Sequence, residues 1–194
     1  MRLSLQSQFQ IYLGLFEKEL HPWLKRLSEG ITTAIDIGAA YGEYTLYILL
    51  KTKASKVYAF EPDSYCAEEF KANLSLNPVD SARIEFSSAF VGDTDTTQQT
   101  SLDTLSQYVR TPCLIKMDVD GAEANILKAA TRLNQLPGIR WIIETHSKEL
   151  EQACLAILKS AGFEIRIIRK AWWRFFLPEL RPREHNQWLV AWRS

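Results

Sequence analysis

The segment Thr33–Leu50, TAIDIGAAYGEYTLYILL, constrains the fold of this chain more than any other stretch. It combines a short apolar run typical of a buried strand, a turn with glycines at positions 38 and 42, and an apolar run with helical spacing. Glycine in such a turn lets the backbone adopt dihedral angles that are closed to other residues and approach a ligand closely. This order of elements predicts an α/β fold with a ligand site at the carboxyl end of the first strand.

The alternation of strand and helix continues beyond this segment. Each of the first five predicted strands is followed by a helical pattern, which indicates a mostly parallel sheet with helices on both faces. The last two strands, at 163–169 and 187–193, have no helix between them, so the last strand is expected to run antiparallel. We therefore predict a Rossmann-like three-layer α/β sandwich on a seven-stranded sheet, with a polar loop at 92–100.

The chain of 194 residues fits one domain, 1–194, with a helical extension over 1–30 and an α/β core over 31–194. The extension is expected to pack on the core as a lid or flank. A helix on a membrane surface is the alternative, and dimerisation through this helix is a further hypothesis. The apolar face that predicts the helix consists of Phe9, Tyr12, Leu13, Phe16, Leu20, Trp23, Leu24 and Leu27.

Charge and cysteine content restrict the class of protein. Acidic and basic side chains number 23 each, which disfavours a general nucleic-acid binder. Cys66, Cys113 and Cys154 lie far apart without metal-ligand spacing, as expected for reduced cysteines of a cytoplasmic protein. The N-terminus lacks the pattern of a signal peptide, and no stretch has the apolar length of a membrane span.

The glycine spacing and two carboxylates indicate the kind of ligand. The pattern G-x-x-x-G lacks the second glycine of the dinucleotide fingerprint, and no P-loop lysine follows, so a nucleoside without a pyrophosphate is favoured. Asp36 ends the first strand, and Glu61 ends the second, where an acidic residue binds ribose hydroxyls in related folds. Pro62 fixes the turn behind Glu61. A negatively lined pocket also favours a cationic ligand such as a sulfonium. The alternative is that Asp36 caps the turn and Glu61 is a solvated strand end.

Several motifs together resemble a known family. IDIGAAYGEYTL, VYAFEPDSYCAEEFKANLSLN, SLDTL, LIKMDVDGAEANILKAA and WIIETHS follow one another in the order found in class I S-adenosylmethionine (SAM) dependent methyltransferases of the FkbM type. The resemblance covers about 33–163. It implies SAM as the cofactor, with methionine near the glycine turn, ribose on Glu61 and adenine near Ala89. The cofactor-binding residues predicted on this basis are Asp36, Gly38, Ala39, Tyr41, Gly42, Glu61, Pro62, Ala89, Phe90 and Asp118.

The chain departs from the family pattern at four positions. Ala40 replaces a common asparagine, and Tyr41 replaces a small aliphatic residue. Asp120 stands in place of a usual glutamate and Ala130 in place of a usual glycine. The loss of the asparagine removes a polar contact at the methionine end of the predicted site.

Candidate catalytic residues lie at the ends of the fourth and fifth predicted strands. Asp118, Glu144 and His146 are expected there, beside the cofactor. His146 is the predicted general base because its pKa is normally near neutrality, with Asp118 positioning the acceptor or the cofactor amine and Glu144 orienting the imidazole. The alternative for His146 is a surface residue at a helix entry beside Ser147. A divalent metal ion on Asp118 and Glu144 is an option that the spacing does not require.

Two further expectations concern structure rather than catalysis. Asp120 and Glu123 have the spacing of a capping box at a helix start. Lys116 lies within an apolar strand, where an unpaired ammonium group is costly, so we expect it to pair with a carboxylate such as Asp103.

The acceptor side is indicated by the segment 166–183, which carries six basic residues and one acidic residue among several aromatics. Trp172–Phe176 either lines the acceptor pocket, which would suit an anionic acceptor, or packs on the N-terminal helix. By resemblance we predict O-methylation of a hydroxyl on a sugar or another small metabolite. The alternatives are a non-catalytic adenosine-binding or scaffolding module, and an RNA or protein methyltransferase that uses the basic aromatic segment.

Overall fold

The computed structural model describes residues 15–171 and 185–193. Its centre is a seven-stranded sheet in the order β3-β2-β1-β6-β7-β9-β8, and a separate parallel pair joins β4 to β5. The strands are β1 (Thr33–Ile37), β2 (Lys56–Phe60), β3 (Ile84–Ser87), β4 (Phe90–Gly92), β5 (Gln99–Ser101), β6 (Cys113–Met117), β7 (Ile139–Thr145), β8 (Glu164–Ile168) and β9 (Gln187–Trp192). The small β4–β5 pair flanks the predicted polar loop at 92–100 and was not expected from the sequence.

The direction of the strands confirms the predicted topology. β1 pairs in parallel with β2 and β6, and the parallel pairing extends outward to β3 and β7. β9 runs antiparallel to both of its neighbours, β7 and β8. Because the chain leaves β1 towards β2 on one side and reaches β6 on the other, the sheet has its switch point at the carboxyl end of β1.

Helices lie around the sheet. They are α1 (His21–Ser28), α2 (Glu43–Lys51), α3 (Ser64–Ser75), α4 (Leu102–Leu105), α5 (Glu123–Ala129), α6 (Thr131–Gln135) and α7 (Lys148–Ser160), with a 3₁₀ turn at Ser81–Arg83. The helical stretch from Glu123 to Gln135 is divided into α5 and α6 at Ala130, whose ψ of 48° interrupts the helical backbone. In the described part of the extension, the helix begins at His21 with Pro22 in its first turn, because proline is tolerated only there. The expected apolar positions before residue 15 lie outside the described residues.

Alternate residues of the central strands face opposite sides of the sheet and are buried on both. On β1, Ile35 packs in one apolar cluster with residues of α5 and α7, whereas Ala34 packs in the other with residues of α1 and α2. Leu24 and Leu27 of α1 belong to this second cluster, so α1 packs on the core as a flank. Both faces of the sheet are therefore covered, which gives the three layers that the alternating pattern predicted. Among the described residues, no helix combines the length and apolar character needed to cross a membrane.

Candidate functional site

The glycine turn lies at the carboxyl end of β1 and is tied to the neighbouring strand. The backbone amides of Gly38 and Ala39 both donate to the Phe60 carbonyl oxygen at 3.0 Å. Ala40 has a φ of 45°, a left-handed conformation that asparagine tolerates better than alanine. An asparagine, which is common at this position in the family that the sequence resembles, would suit this backbone conformation better than alanine does.

The Glu61 side chain is fixed by backbone amides of the glycine turn and of the turn that follows β2. It is only 7% exposed, and Oε2 accepts a 2.8 Å hydrogen bond from the amide of Ala40, while Oε1 accepts one of 2.9 Å from the amide of Asp63. Each carboxylate oxygen has further lone-pair capacity, so the group can still accept two hydrogen bonds from a vicinal diol. The alternative of a solvated strand end is wrong for this residue, because it is buried and fixed.

Asp36 lies beneath the turn instead of on its surface. It is fully buried, and Oδ2 accepts a 2.7 Å hydrogen bond from the Thr45 hydroxyl of α2. Burial raises the pKa of Asp36, against the opposing effect of Lys116. Asn73 supports the same turn from α3, since its side-chain amide donates to the Tyr41 carbonyl oxygen at 2.9 Å. Neither Thr45 nor Asn73 was singled out from the sequence, because each acts on a residue distant along the chain.

A cavity of about 790 Å³ opens at the switch point beside this turn. Its walls include residues that follow β1, β2, β3 and β6. Among the predicted cofactor-binding residues, the lining contains Gly38, Tyr41, Glu61, Pro62, Ala89, Phe90 and Asp118, and it does not contain Asp36, Ala39 or Gly42. Tyr65 and Asp120 also line it, without having been predicted as binding residues.

The three predicted catalytic residues come together, and one of them, Asp118, lines this cavity. We refer to Asp118, Glu144 and His146 as the Asp118 cluster; their potential ligand atoms all lie within 4.8 Å of one another. Nε2 of His146 is 3.1 Å from Oδ1 of Asp118, so Asp118, and not Glu144, forms the hydrogen bond that orients the imidazole. His146 is partly buried, with an 11% exposed side chain, and the alternative of a plain surface histidine is not supported.

Lys116 pairs with Asp118. Its ammonium nitrogen is 3.3 Å from Oδ2 of Asp118 and 4.8 Å from the centroid of the Tyr44 ring. The expected pairing with Asp103 is wrong: that carboxylate accepts hydrogen bonds from the Thr131 hydroxyl and from the amides of residues 132 and 133 at the start of α6. Lys116 and Asp118 are alternate residues at a strand end and face the same side, whereas Asp103 lies on α4.

The carboxyl groups in and around the Asp118 cluster outnumber the cationic side chains next to them. Burial acts to raise the pKa of Asp118, but Lys116 and His146 outweigh it and hold that pKa well below its usual range. Burial and the neighbouring Asp118 raise the pKa of Glu144 to about 7. The carboxyl group of Glu17 also lies here, and burial followed by Glu144 raises its pKa well above the ordinary value.

Glu17 is a site residue that the sequence did not reveal. It precedes α1 with a φ of 44° and is only 6% exposed. Its carboxylate accepts a hydrogen bond from the Tyr44 hydroxyl of α2. The amphipathic pattern over 1–30 predicted the flanking helix, but the sequence contained no signal that the turn before this helix places a carboxylate next to the Asp118 cluster.

The expected capping box at the start of α5 is wrong. Ala122 is the N-cap residue and forms no side-chain cap, so Asp120 does not occupy that position. Glu123 is the first helical residue and is fully buried, with Oε1 at 3.9 Å from Nε2 of His146. Its carboxylate therefore faces the Asp118 cluster.

The fold is shared with solved methyltransferases. An FkbM methyltransferase from Methylobacillus flagellatus is similar with a TM-score of 0.64 and 19% identity, over 84% of this chain and 44% of the other. A precorrin-6y C5,15-methyltransferase from Geobacter metallireducens gives 0.62 at 14% identity, over 90% and 88%. A Streptococcus mutans protein assigned as a methyltransferase and crystallised with SAH gives 0.59 at 14%, over 89% and 96%. At these identities the likeness establishes the fold, which is that of the Rossmann-like methyltransferases.

The family comparison is more specific. Residues 78–165 match the family model of the methyltransferase FkbM domain, a range that contains all of the Asp118 cluster. The predicted resemblance to FkbM-type class I SAM-dependent methyltransferases is thereby confirmed. The chain spans less than half the length of the Methylobacillus protein. A comparison with curated proteins gave no match.

Proposed function

We propose that this protein is a SAM-dependent O-methyltransferase that acts on a hydroxyl group of a sugar or another small metabolite. The observation that carries this proposal is the position of Asp118, which belongs to the Asp118 cluster and also lines the cavity that contains Glu61. This position supports a cofactor site and a proton-accepting cluster at one edge of the sheet, as methyl transfer to an alcohol requires.

The residues around the cavity fit SAM. Glu61 presents two oxygens with lone pairs free for the ribose diol, behind the rigid Pro62. Phe90 and Tyr65 offer aromatic surface at the rim, where adenine would lie. Asp118 is held ionised and faces the cavity, so its charge favours a cationic ligand. The bound cofactor would supply an electrophilic methyl group.

The chain's own contribution to the reaction is orientation and proton removal. Methyl transfer is an in-line displacement, so the protein mainly holds the acceptor oxygen in line with the methyl group. The acceptor hydroxyl loses its proton during transfer, and we infer that the Asp118 cluster receives it. Asp118 is the member of the cluster that lines the cavity, and its Oδ1 is hydrogen-bonded to Nε2 of His146, so these two groups can share a proton taken from the acceptor.

The first test is calorimetric titration with S-adenosylhomocysteine (SAH), with NAD and ATP as comparison ligands. We expect selective micromolar binding of SAH that Glu61→Ala weakens roughly 10- to 100-fold, the effect of losing hydrogen bonds to a charged group. Glu85→Ala is the matched control, because Glu85 is an exposed carboxylate on the adjacent strand and does not line the cavity. Folded protein that fails to bind SAH contradicts the proposal.

The acceptor is then sought by measuring SAH release from SAM with panels of sugars, hydroxylated metabolites, RNA and peptides. Turnover with a small hydroxylated compound supports the proposal, and turnover only with RNA or peptide replaces it. SAH binding without turnover in any panel favours a non-catalytic adenosine-binding module. The predicted acceptor segment Trp172–Phe176 lies outside the described residues.

A further inference from the structure

One imidazole nitrogen faces several carboxylates. Nε2 of His146 lies 3.1 Å from Oδ1 of Asp118, 3.9 Å from Oε1 of Glu123 and 4.0 Å from Oδ1 of Asp120. A single ring nitrogen forms one hydrogen bond, so it satisfies Asp118 and leaves the other carboxylates only a long-range interaction with it.

Glu123 provides the strongest evidence that the Asp118 cluster binds a ligand. Its side chain is fully buried, and neither carboxylate oxygen accepts a well-formed hydrogen bond, although the backbone amides of Gly121 and Glu123 favour its charged form. Burial of an unpaired carboxylate is costly, so buried charges are normally paired or coordinate a metal. This carboxylate faces His146, not the solvent.

Asp118 divides its two oxygens between different partners. Oδ2 is the atom next to the ammonium group of Lys116, and Oδ1 is the atom next to His146. The distance of 3.1 Å from Oδ1 to Nε2 is close to the edge of an octahedron with bonds of about 2.1 Å, which is about 3.0 Å. Once Nε2 has lost its proton, the two atoms are close enough to serve as adjacent ligands of one ion, and Oδ2 can remain paired with Lys116.

Glu144 completes the set of ligands. It is buried at the end of β7, and its carboxylate lies within 4.8 Å of the ligand atoms of Asp118 and His146. Two carboxylates this close need a cation or a proton between them. Glu17 adds a further carboxyl group next to Glu144.

We propose that Asp118, Glu144 and His146 form a divalent-cation site, with Glu123 as a buried carboxylate that balances the charge of the ion. Carboxylates suit Mg²⁺ and Mn²⁺, and an imidazole ligand shifts the preference towards transition ions, so Mn²⁺ is the expected class. The catalytic consequence rests on the proposed function: the ion would bind the acceptor oxygen and lower the pKa of its hydroxyl.

The competing explanation is that His146 is itself the cation. A protonated imidazole would neutralise part of the cluster without any metal. The two explanations differ in a measurable way, because a metal site binds Mn²⁺ through Nε2 whereas an imidazolium repels it.

The test is a titration of the purified, metal-free protein with MnCl₂, in which the loss of the free Mn²⁺ signal by electron paramagnetic resonance measures binding. We expect one ion per chain. His146→Gln should weaken binding by more than the roughly 10- to 100-fold that loss of an outer-shell partner typically causes. Because His146→Gln leaves the Lys116–Asp118 pair in place, it is a milder change than a substitution of Asp118. Glu144→Gln should weaken binding too, and Glu164→Gln, at an exposed position of β8, is the matched control.

The outcomes separate this inference from the proposed function. SAH binding without Mn²⁺ binding, or Mn²⁺ binding unchanged by His146→Gln, overturns the cation site and leaves the methyltransferase proposal intact. Mn²⁺ binding that His146→Gln and Glu144→Gln both weaken supports the cation site, whether or not SAH binds. Melting curves of each variant without metal exclude loss of folding as the cause.

Discussion

Gly38→Ala tests how closely the carboxyl ends of β1 and β6 approach each other at the cavity. Gly38 has a φ of +75°, and a Cβ atom added there would lie 1.9 Å from the backbone carbonyl oxygen of Asp118. That oxygen belongs to the backbone and cannot rotate away, so the ends of β1 and β6 would have to separate.

The size of the effect follows from two contributions. The left-handed backbone costs an alanine about 1 kcal/mol. Relief of the overlap adds about 1–3 kcal/mol, as for other overpacked sites. Gly30→Ala is the matched control, because Gly30 has a similar φ of +68° and open space around the added Cβ.

Thermal and urea unfolding of both variants measure the difference. We expect Gly30→Ala to lower the free energy of unfolding by about 1 kcal/mol and Gly38→Ala by about 2–4 kcal/mol, or roughly 4–15 °C in Tm. Gly38→Ala should also weaken SAH binding, since the turn lines the cavity. Equal destabilisation by the two variants would refute the argument from close approach.

Three further predictions concern buried or partly buried groups around the turn. Burial raises the pKa of Glu43 to about 7 from an ordinary 4.5. The unfolded chain therefore releases this proton first, and stability should fall by up to about 3 kcal/mol as pH rises from 4.5 to 7. Glu43→Gln should flatten that dependence in urea titrations at several pH values, and an unchanged slope would contradict it. Thr45→Val removes the hydroxyl donor of the buried Asp36 and should cost about 1–3 kcal/mol in urea unfolding; no loss would mean that this bond is dispensable. Asn73→Ala frees the Tyr41 carbonyl and should weaken SAH binding in calorimetry as well as stability, whereas unchanged affinity would show that the turn holds its shape without this support.

Local patterns in the sequence determined the elements and their order. β1, β2 and β7 could be recognised as largely apolar runs, because an interior strand of a parallel sheet is buried on both faces. The glycine turn and the acidic ends of the strands were also readable, since each depends on residues adjacent in the chain. Placing the Asp118 cluster at one sheet edge followed from the rule that carboxyl ends of parallel strands meet there.

Only the tertiary structure decided which charged groups meet. Lys116 pairs with Asp118 instead of Asp103, and Glu123 turns its carboxylate towards His146 instead of capping a helix. Glu17 reaches Tyr44 and Glu144 from a turn far away in the chain. A sequence pattern records how each residue relates to its own strand or helix. The partner of a buried charge depends on how separate elements pack, because the cost of an unpaired charge is relieved by whichever opposite charge the fold brings within reach.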